Sequence, residues 1–277
     1  MLSSTPLSVS AQTEVTLGHW KQLLIERRSA LQGDYQKHPF PPRLLNHHRK
    51  LIDGILQDIF QVLELPRTLS LLAVGGYGRG QLFPYSDIDL LILLRNDADL
   101  ILREQLERLI GLLWDIGLEV GHSVRTIPEC QEQARKDVTV QTTLMEARLL
   151  YGSPSLFKKF SQATLTIMDS ATFFQAKQLE QHQRHARFYD TANNLEPNLK
   201  EGPGGLRDLQ NILWISQACG LGTSWQALAK HGLITQHEAR QIKSHELFLQ
   251  DLRIRLHYLA CRREDRLMFD YQGTLAQ

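Results

Sequence analysis

Asp87 and Asp89 stand two residues apart around the start of an apolar run, Ile88 to Leu94. A glycine cluster, Gly75, Gly76, Gly78 and Gly80, follows an earlier apolar run from Leu69 to Val74. Short apolar runs of this kind read as buried strands, and a period of two puts both aspartates on one face. Two carboxylates so close repel each other in a half-buried site unless a cation lies between them. A hard, oxygen-preferring ion such as Mg²⁺, or Mn²⁺ in its place, meets that need. Two such ions roughly 3.5 to 4 Å apart can clamp the attacking and leaving oxygens of an in-line phosphoryl displacement. Glycines at the end of the preceding strand can bring bare backbone amides against a triphosphate. The residue types and their order therefore suit a nucleoside triphosphate held by amides at one end and by metal at the other.

Two commoner glycine motifs fail here. The dinucleotide fingerprint needs GxGxxG opening a helix, whereas these glycines lead to a strand. A phosphate-binding loop of the GxxxxGK type needs a lysine where Gln81 stands.

The elements that must position these residues can be read from periodicity. Trp20 to Leu31 has helical spacing and is broken by HPFPPR at 38 to 43; a second helical stretch, Leu44 to Leu63, stops before Pro66. After the two apolar runs, Leu100 to Trp114 repeats apolar residues at helical spacing with Gly117 as its stop, and Leu118 to Thr126 alternates as a third strand. From Pro128 onward strand signals fade, and helical patterns run to the end with interruptions at 152–154, 193–205 and 220–223. The expected division is a leader and helix over 1–44, an α/β part over 45–150 that carries the site, and an all-helical part over 151–277.

Composition bounds the function. A chain of 277 residues with 42% hydrophobic content can fill real cores. Lys plus Arg is 31 against 30 for Asp plus Glu, a net charge of +1, so no global field draws in nucleic acid. Cys130, Cys219 and Cys261 lack CxxC spacing, which predicts buried thiols and neither a disulfide framework nor a zinc site. No secretion signal or membrane span is visible, and a soluble cytoplasmic protein without membrane contact is expected. The Ser/Thr-rich leader reads as disordered or loosely attached. The pairs His47–His48 and His182/His185 read as surface histidines, and the arginines of 253–266 as a solvated helical face.

Gly-Gly, ten residues, then Asp-Ile-Asp-Leu resembles the nucleotidyltransferase superfamily of the DNA polymerase β type. The wording GGYGRGQLFPYSDIDLLILL is more particular. It resembles the bacterial PII uridylyltransferase family, and LWDIGLEVGHSVRT (113–126), NLEPNLKEGPGGLRDLQNILW (194–214) and DLRIRLHYLACRREDRLMFDYQ (251–272) agree with it in the same order. The resemblance implies an α+β fold: a polymerase β-like domain with a small mixed sheet, followed by helices. It also implies transfer of UMP from UTP to a tyrosine of the PII protein, with release of pyrophosphate. Asp87 and Asp89 then take the metal-ligand roles, and Gly75 and Gly76 the phosphate-facing turn, with Arg79 and Ser86 as further nucleotide contacts. The superfamily's third carboxylate, as metal ligand or base, falls to Glu119; His122 or a water is the alternative, and Arg125 shares the Glu119 face. Lys200, Arg207 and Asp208, around the glycines of KEGPGGLRDLQ, read as a nucleotide-contacting wall of the cleft or as an interdomain loop with a capped helix.

In that family a hydrolase domain with a His-Asp metal motif and small glutamine-sensing domains come next. This sequence contains no His-Asp dipeptide and stops at Gln277, which reads as the transferase portion alone, without UMP removal. The competing readings are another nucleotidyltransferase, adenylylating a protein or small molecule, and a non-catalytic nucleotide-binding regulatory module.

Overall fold

The structure, a computed structural model, describes residues 9–188 and 194–276. The first eight residues of the leader and 189–193, where the interruption at 193–205 begins, lie outside the described residues. The described elements are, in chain order, α1 (Val9–Lys37), α2 (Pro41–Val62), β1 (Ser70–Ala73), α3 (Gly75–Gly78), β2 (Ile88–Leu94), α4 (Leu100–Asp115), β3 (Val120–Thr126), α5 (Ile127–Lys136), α6 (Val138–Met145) and β4 (Arg148–Gly152). There follow α7 (Pro154–Thr166), α8 (Ser170–Ala186), α9 (Leu206–Ala218), α10 (Trp225–Lys230), α11 (Gln236–Ala260) and α12 (Phe269–Leu275). Two compact units emerge. One comprises the chain up to Leu82 with Ser86–Glu129 and Glu146–Phe160; the other comprises Phe83–Tyr85, Cys130–Met145 and the chain from Ser161.

The first unit is built on a mixed four-stranded sheet in the order β3-β2-β1-β4. β1 runs antiparallel to β2 and to β4, while β2 and β3 are parallel and joined by α4. A parallel neighbour requires a crossover, and the apolar stripe of α4 supplies one that packs back on the sheet. Leu106, Leu109, Ile110 and Leu113 of α4, with Ile52, Ile55, Ile59 and Phe60 of α2, share one core with Ile88, Leu90, Ile92 and Leu94 of β2. Asp99 caps α4 by accepting from the amide of Leu102 at 2.8 Å. These are the elements of an α+β fold with a small mixed sheet followed by helices, as the sequence leads one to expect.

Three local differences have physical causes. Helix α1 begins at Val9, well inside the leader that reads as loosely attached. Its turns around Trp20 and Leu24 are anchored in the core, and a helix once nucleated propagates outward cheaply. The glycine turn is a single helical turn, α3, rather than an irregular loop. β4 forms where the sequence reads as helical: RLLYG is short and lacks clean alternation, and its pairing with β1 has a bulge at Leu71/Leu72. Tertiary pairing, not local pattern, makes it a strand. Gly152, at φ +95°, ends it, and a Cβ there would collide with the carbonyl of Leu69.

In the second unit, α11 opens with a capping box in which Thr235 and Glu238 satisfy each other's backbone amides. Cys130 is buried, but Cys219 and Cys261 are exposed, because they cap the solvent-facing ends of α9 and α11; none of the three is in a disulfide. Arg253 is not on a solvated face. It is 5% exposed, donates to Asp265 at 2.6 Å and lies 4.1 Å over the ring of Phe83. Asp265 is held well below the usual carboxylate range: burial opposes its charge, but His257 and Arg253 outweigh it.

Candidate active site

Period-two alternation along β2 places Ile88, Leu90, Ile92 and Leu94 toward α4, so Asp87 and Asp89 belong to the opposite face. Asp89 lies between two glycines. A Cβ built on Gly75 would stand 3.3 Å from Asp89 Oδ2, and one built on Gly121 2.8 Å from Asp89 Oδ1. Gly75 also has φ +58°, a conformation that strains any side chain. Asp89 pairs with Gly121 across the parallel ladder, and the amide of Val74 donates to the Asp89 carbonyl at 3.0 Å. The glycine turn, the acid strand and β3 thus meet around one half-buried carboxylate. Asp87, one residue before β2, is exposed.

Within the turn, the amides of Gly78, Arg79, Gly80 and Gln81 donate to the carbonyls of Val74, Gly75, Tyr77 and Gly76. The amides of Gly75 and Gly76 are the first of the helical turn, and such groups lie outside the intrahelical ladder. Gly78 is required for a different reason: a Cβ there would collide with the Glu146 carbonyl. Tyr77 points away from the acids and donates to Asp53 Oδ1 at 2.6 Å. Asp53 also takes both guanidinium nitrogens of Arg148, at 2.9 and 3.0 Å, and one from Arg49 at 3.0 Å. Burial, then the Asp53 charge, raises the Tyr77 phenol far above its ordinary value, so it stays a neutral donor. His48 pins the loop beyond the turn, donating from Nδ1 to the Leu82 carbonyl at 3.1 Å. It is buried, contrary to its reading as a surface histidine, and burial followed by the charge of Arg28 lowers its pKa to about 4.

Arg79 forms an ion pair with Glu146 and donates to Gln81 at 3.0 Å, so it braces the turn from behind. Ser86 is half-buried and immediately precedes Asp87. Glu119 lies one residue before β3 and is exposed; its carbonyl accepts from the amide of Ile88 at 2.8 Å. Continuing the register Ile88↔Val120 by one residue sets Glu119 opposite Asp87, on the aspartate face. Among the described residues, however, no three His, Cys, Asp or Glu side chains converge to hold a metal. His122 alternates to the other face, where it lines a groove against α4. Arg125 has the parity of Glu119, but it too borders that groove.

Lys200, Arg207 and Asp208 lie in the second unit, around a compact turn. The Asn198 side chain accepts from the amides of Lys200 and Glu201, and Gly202 and Gly205 pack where a Cβ would come within 2.7 and 2.9 Å of backbone oxygens. Arg207 is engaged with Glu201 at 3.0 Å and lies 5.2 Å over Trp214. Asp208 accepts from Arg184 at 2.6 Å, from His185 at 2.9 Å and from the amide of Gly204 at 2.7 Å. Burial opposes the Asp208 charge, but these donors hold its carboxyl below the usual range. His185 therefore has a carboxylate partner that sequence spacing alone does not reveal. Lys200 stays 3.8 Å from Glu201, with its pKa lowered by burial and by the cationic Arg253 and Arg207.

Gly121, Gly78, Asp53 and Arg148 are the site residues that motif reading passes over. A glycine inside a strand pattern is the one available signal, since it often marks a close approach.

Residues 55–150 match the family model described as nucleotidyltransferase domain, and residues 172–277 the model described as GlnD PII-uridylyltransferase. Curated relatives named bifunctional uridylyltransferase/uridylyl-removing enzyme include one from Nitrosospira multiformis, 54% identical over 93% of this chain and 30% of its own length. Another, from Aromatoleum aromaticum, is 46% identical over 99% of this chain and 32% of its own. The chain thus spans about a third of the length of these relatives. Among solved structures, a toxin–antitoxin with AMP-PNP matches at 18% identity with a TM-score of 0.30, covering 50% of this chain and 96% of that one. The chain is thus similar to nucleotidyltransferase domains over residues 55–150, the part that holds Asp89, and to the PII-uridylyltransferase family over residues 172–277.

Proposed function

We propose that the chain transfers UMP from UTP to a tyrosine hydroxyl of a PII protein and releases pyrophosphate. What carries the reading is the setting of Asp89: a carboxylate between two glycines, beside the first amides of a helical turn, within a domain matched to nucleotidyltransferases. The uridylyltransferase name of the relatives and the PII-uridylyltransferase name of the family model support the choice of uridylyl group and acceptor.

The donor set fits a hard divalent cation, because Asp87 and Asp89 offer only oxygen and the glycines keep bulk away from Asp89. Mg²⁺ or Mn²⁺ bound there supplies positive charge for phosphoryl oxygens. The chain's own groups do the rest. The amides of Gly75 and Gly76 face the triphosphate, Ser86 orients the chain into Asp87, and Arg79 keeps the turn rigid through Glu146. Glu119, set opposite Asp87 by the register of β2 and β3, accepts the proton of the attacking tyrosine hydroxyl. In the helical unit, Lys200 offers a cation to an anionic ligand, with Arg207 and Asp208 holding its turn in shape.

The test is incubation of the chain with UTP, Mg²⁺ and a purified PII protein, followed by intact mass of the acceptor. A gain of one UMP per subunit, lost in Asp87→Asn by roughly a thousandfold in rate, is the expected result. An unmodified acceptor, or equal modification by the Asp87→Asn variant, refutes the reading.

A further inference from the structure

The groove beside β3 is not accounted for by nucleotide chemistry. It has a volume of about 700 Å³ and is lined by Leu94, Leu106, Ile110, Trp114, His122 and Val124, with charges of both signs at its rim. It lies on the α4 face of the sheet, opposite Asp89. Trp114 stands at 59% exposure and Val124 at 39%, both unusual for apolar residues over a cavity.

β3 is a sheet edge: among the described residues it pairs with β2 alone. The Glu119 carbonyl accepts from Ile88, so the backbone groups of Glu119, Gly121, Ser123 and Arg125 point toward β2. Alternation then turns those of Val120, His122, Val124 and Thr126 outward. The Thr126 amide is capped by Glu129 at 2.7 Å, which ends the open edge. Three successive outward residues remain to receive an extended chain, and two of them have side chains in the groove.

We infer that β3 is the edge along which the tyrosine-bearing segment of the acceptor protein lies, extended as an added strand. This rests on the uridylyltransferase reading and deepens it by naming how the acceptor docks. Facing residues of paired strands share a side, so a residue opposite His122 or Val124 drops into the groove, while one opposite Gly121 projects onto the aspartate face. A strand added there is two strand spacings from Asp89, roughly 10 Å. Gly121 stands between them without a side chain, so the path from an acceptor hydroxyl to the carboxylates crosses bare backbone. The groove grips the segment by alternate side chains, the edge fixes its register, and the register selects which hydroxyl reaches the site.

Two variants test this. Val124→Pro removes an outward amide without touching the β2 ladder, a position where an edge strand accepts proline. Trp114→Glu spoils the groove from an exposed position on α4. In steady-state transfer each is expected to raise the KM for PII roughly tenfold or more, about the loss of one good contact, while the KM for UTP is unchanged. Amide exchange at 120–124 is expected to slow when PII is added. If both variants match the parent in KM for PII, the inference fails while the function stands. The same holds if they only dissolve a self-associated form of the chain. A parent chain that modifies no PII refutes the functional reading, and the docking edge with it.

Discussion

At Gly121 even alanine must push the Asp89 carboxylate aside, because the added Cβ would stand 2.8 Å from Oδ1, closer than such contacts occur. Gly121→Ala is therefore expected to lower the transfer rate roughly a hundredfold, the usual scale for displacing a reacting group by about 1 Å. Its melting temperature should stay near that of the parent, since Gly121 lies on an edge strand and packs only toward the acid. Steady-state kinetics beside thermal melts check both halves; a variant with parental rate contradicts the crowded site. Asp87, Asp89 and the Gly75–Gly76 pair are legible in the sequence because their relation is local: two acids at strand period, two glycines at the end of a run. The duty of Gly121 is not, because it depends on the parallel register between β2 and β3, which the intervening helix and the core decide.

At the scale of elements, one half-buried carboxylate holds the glycine turn in place. Asp53, on α2, is shared by Arg49 one turn away on the same helix, by Tyr77 of the glycine turn and by Arg148 of β4, so it ties α2 to two segments distant in sequence. Asp53→Asn leaves Arg148 with an uncompensated charge at a half-buried position and is expected to cost about 3 kcal/mol, the lower end for a broken buried pair. Urea denaturation measures that loss. His48 gives the same layer a pH dependence. With its pKa lowered from 6.5 to about 4, the unfolded chain takes up a proton that the folded chain refuses. Stability from this group is therefore fully present above pH 6.5 and is lost as pH falls through 6.5 toward 4. The loss amounts to roughly 3 kcal/mol. Urea midpoints for the parent and His48→Gln, compared at pH 7 and pH 4.5, should converge at the lower pH; a gap unchanged between the two values rules out the buried neutral imidazole. Neither effect can be read along the chain, since Asp53 and Arg148 are 95 residues apart and pair only because β4 joins β1.

For the whole molecule, the expected ligand response follows from linkage: a species bound by the folded chain alone stabilises it by about 2.7 kcal/mol at a hundred times its Kd. Thermal melts with each of the four nucleoside triphosphates and Mg²⁺ should show the largest upward shift with UTP. A larger shift with ATP points instead to adenylyl transfer. None of the described helices is long and apolar enough to cross a membrane.

By itself the sequence determined the acid pair, the glycine turn, the helical course of the chain beyond the transferase domain and the resemblance to uridylyltransferases, because each is a matter of residue types at short spacing. Only the tertiary structure decided that β4 is a strand, that His48 and Arg253 are buried, that Glu119 stands opposite Asp87, and that Gly121 lies against Asp89. Those facts depend on which segments far apart in sequence come to share a sheet or a core. Short-range periodicity holds no record of that choice, because the free energy deciding it is released only when the distant surfaces meet.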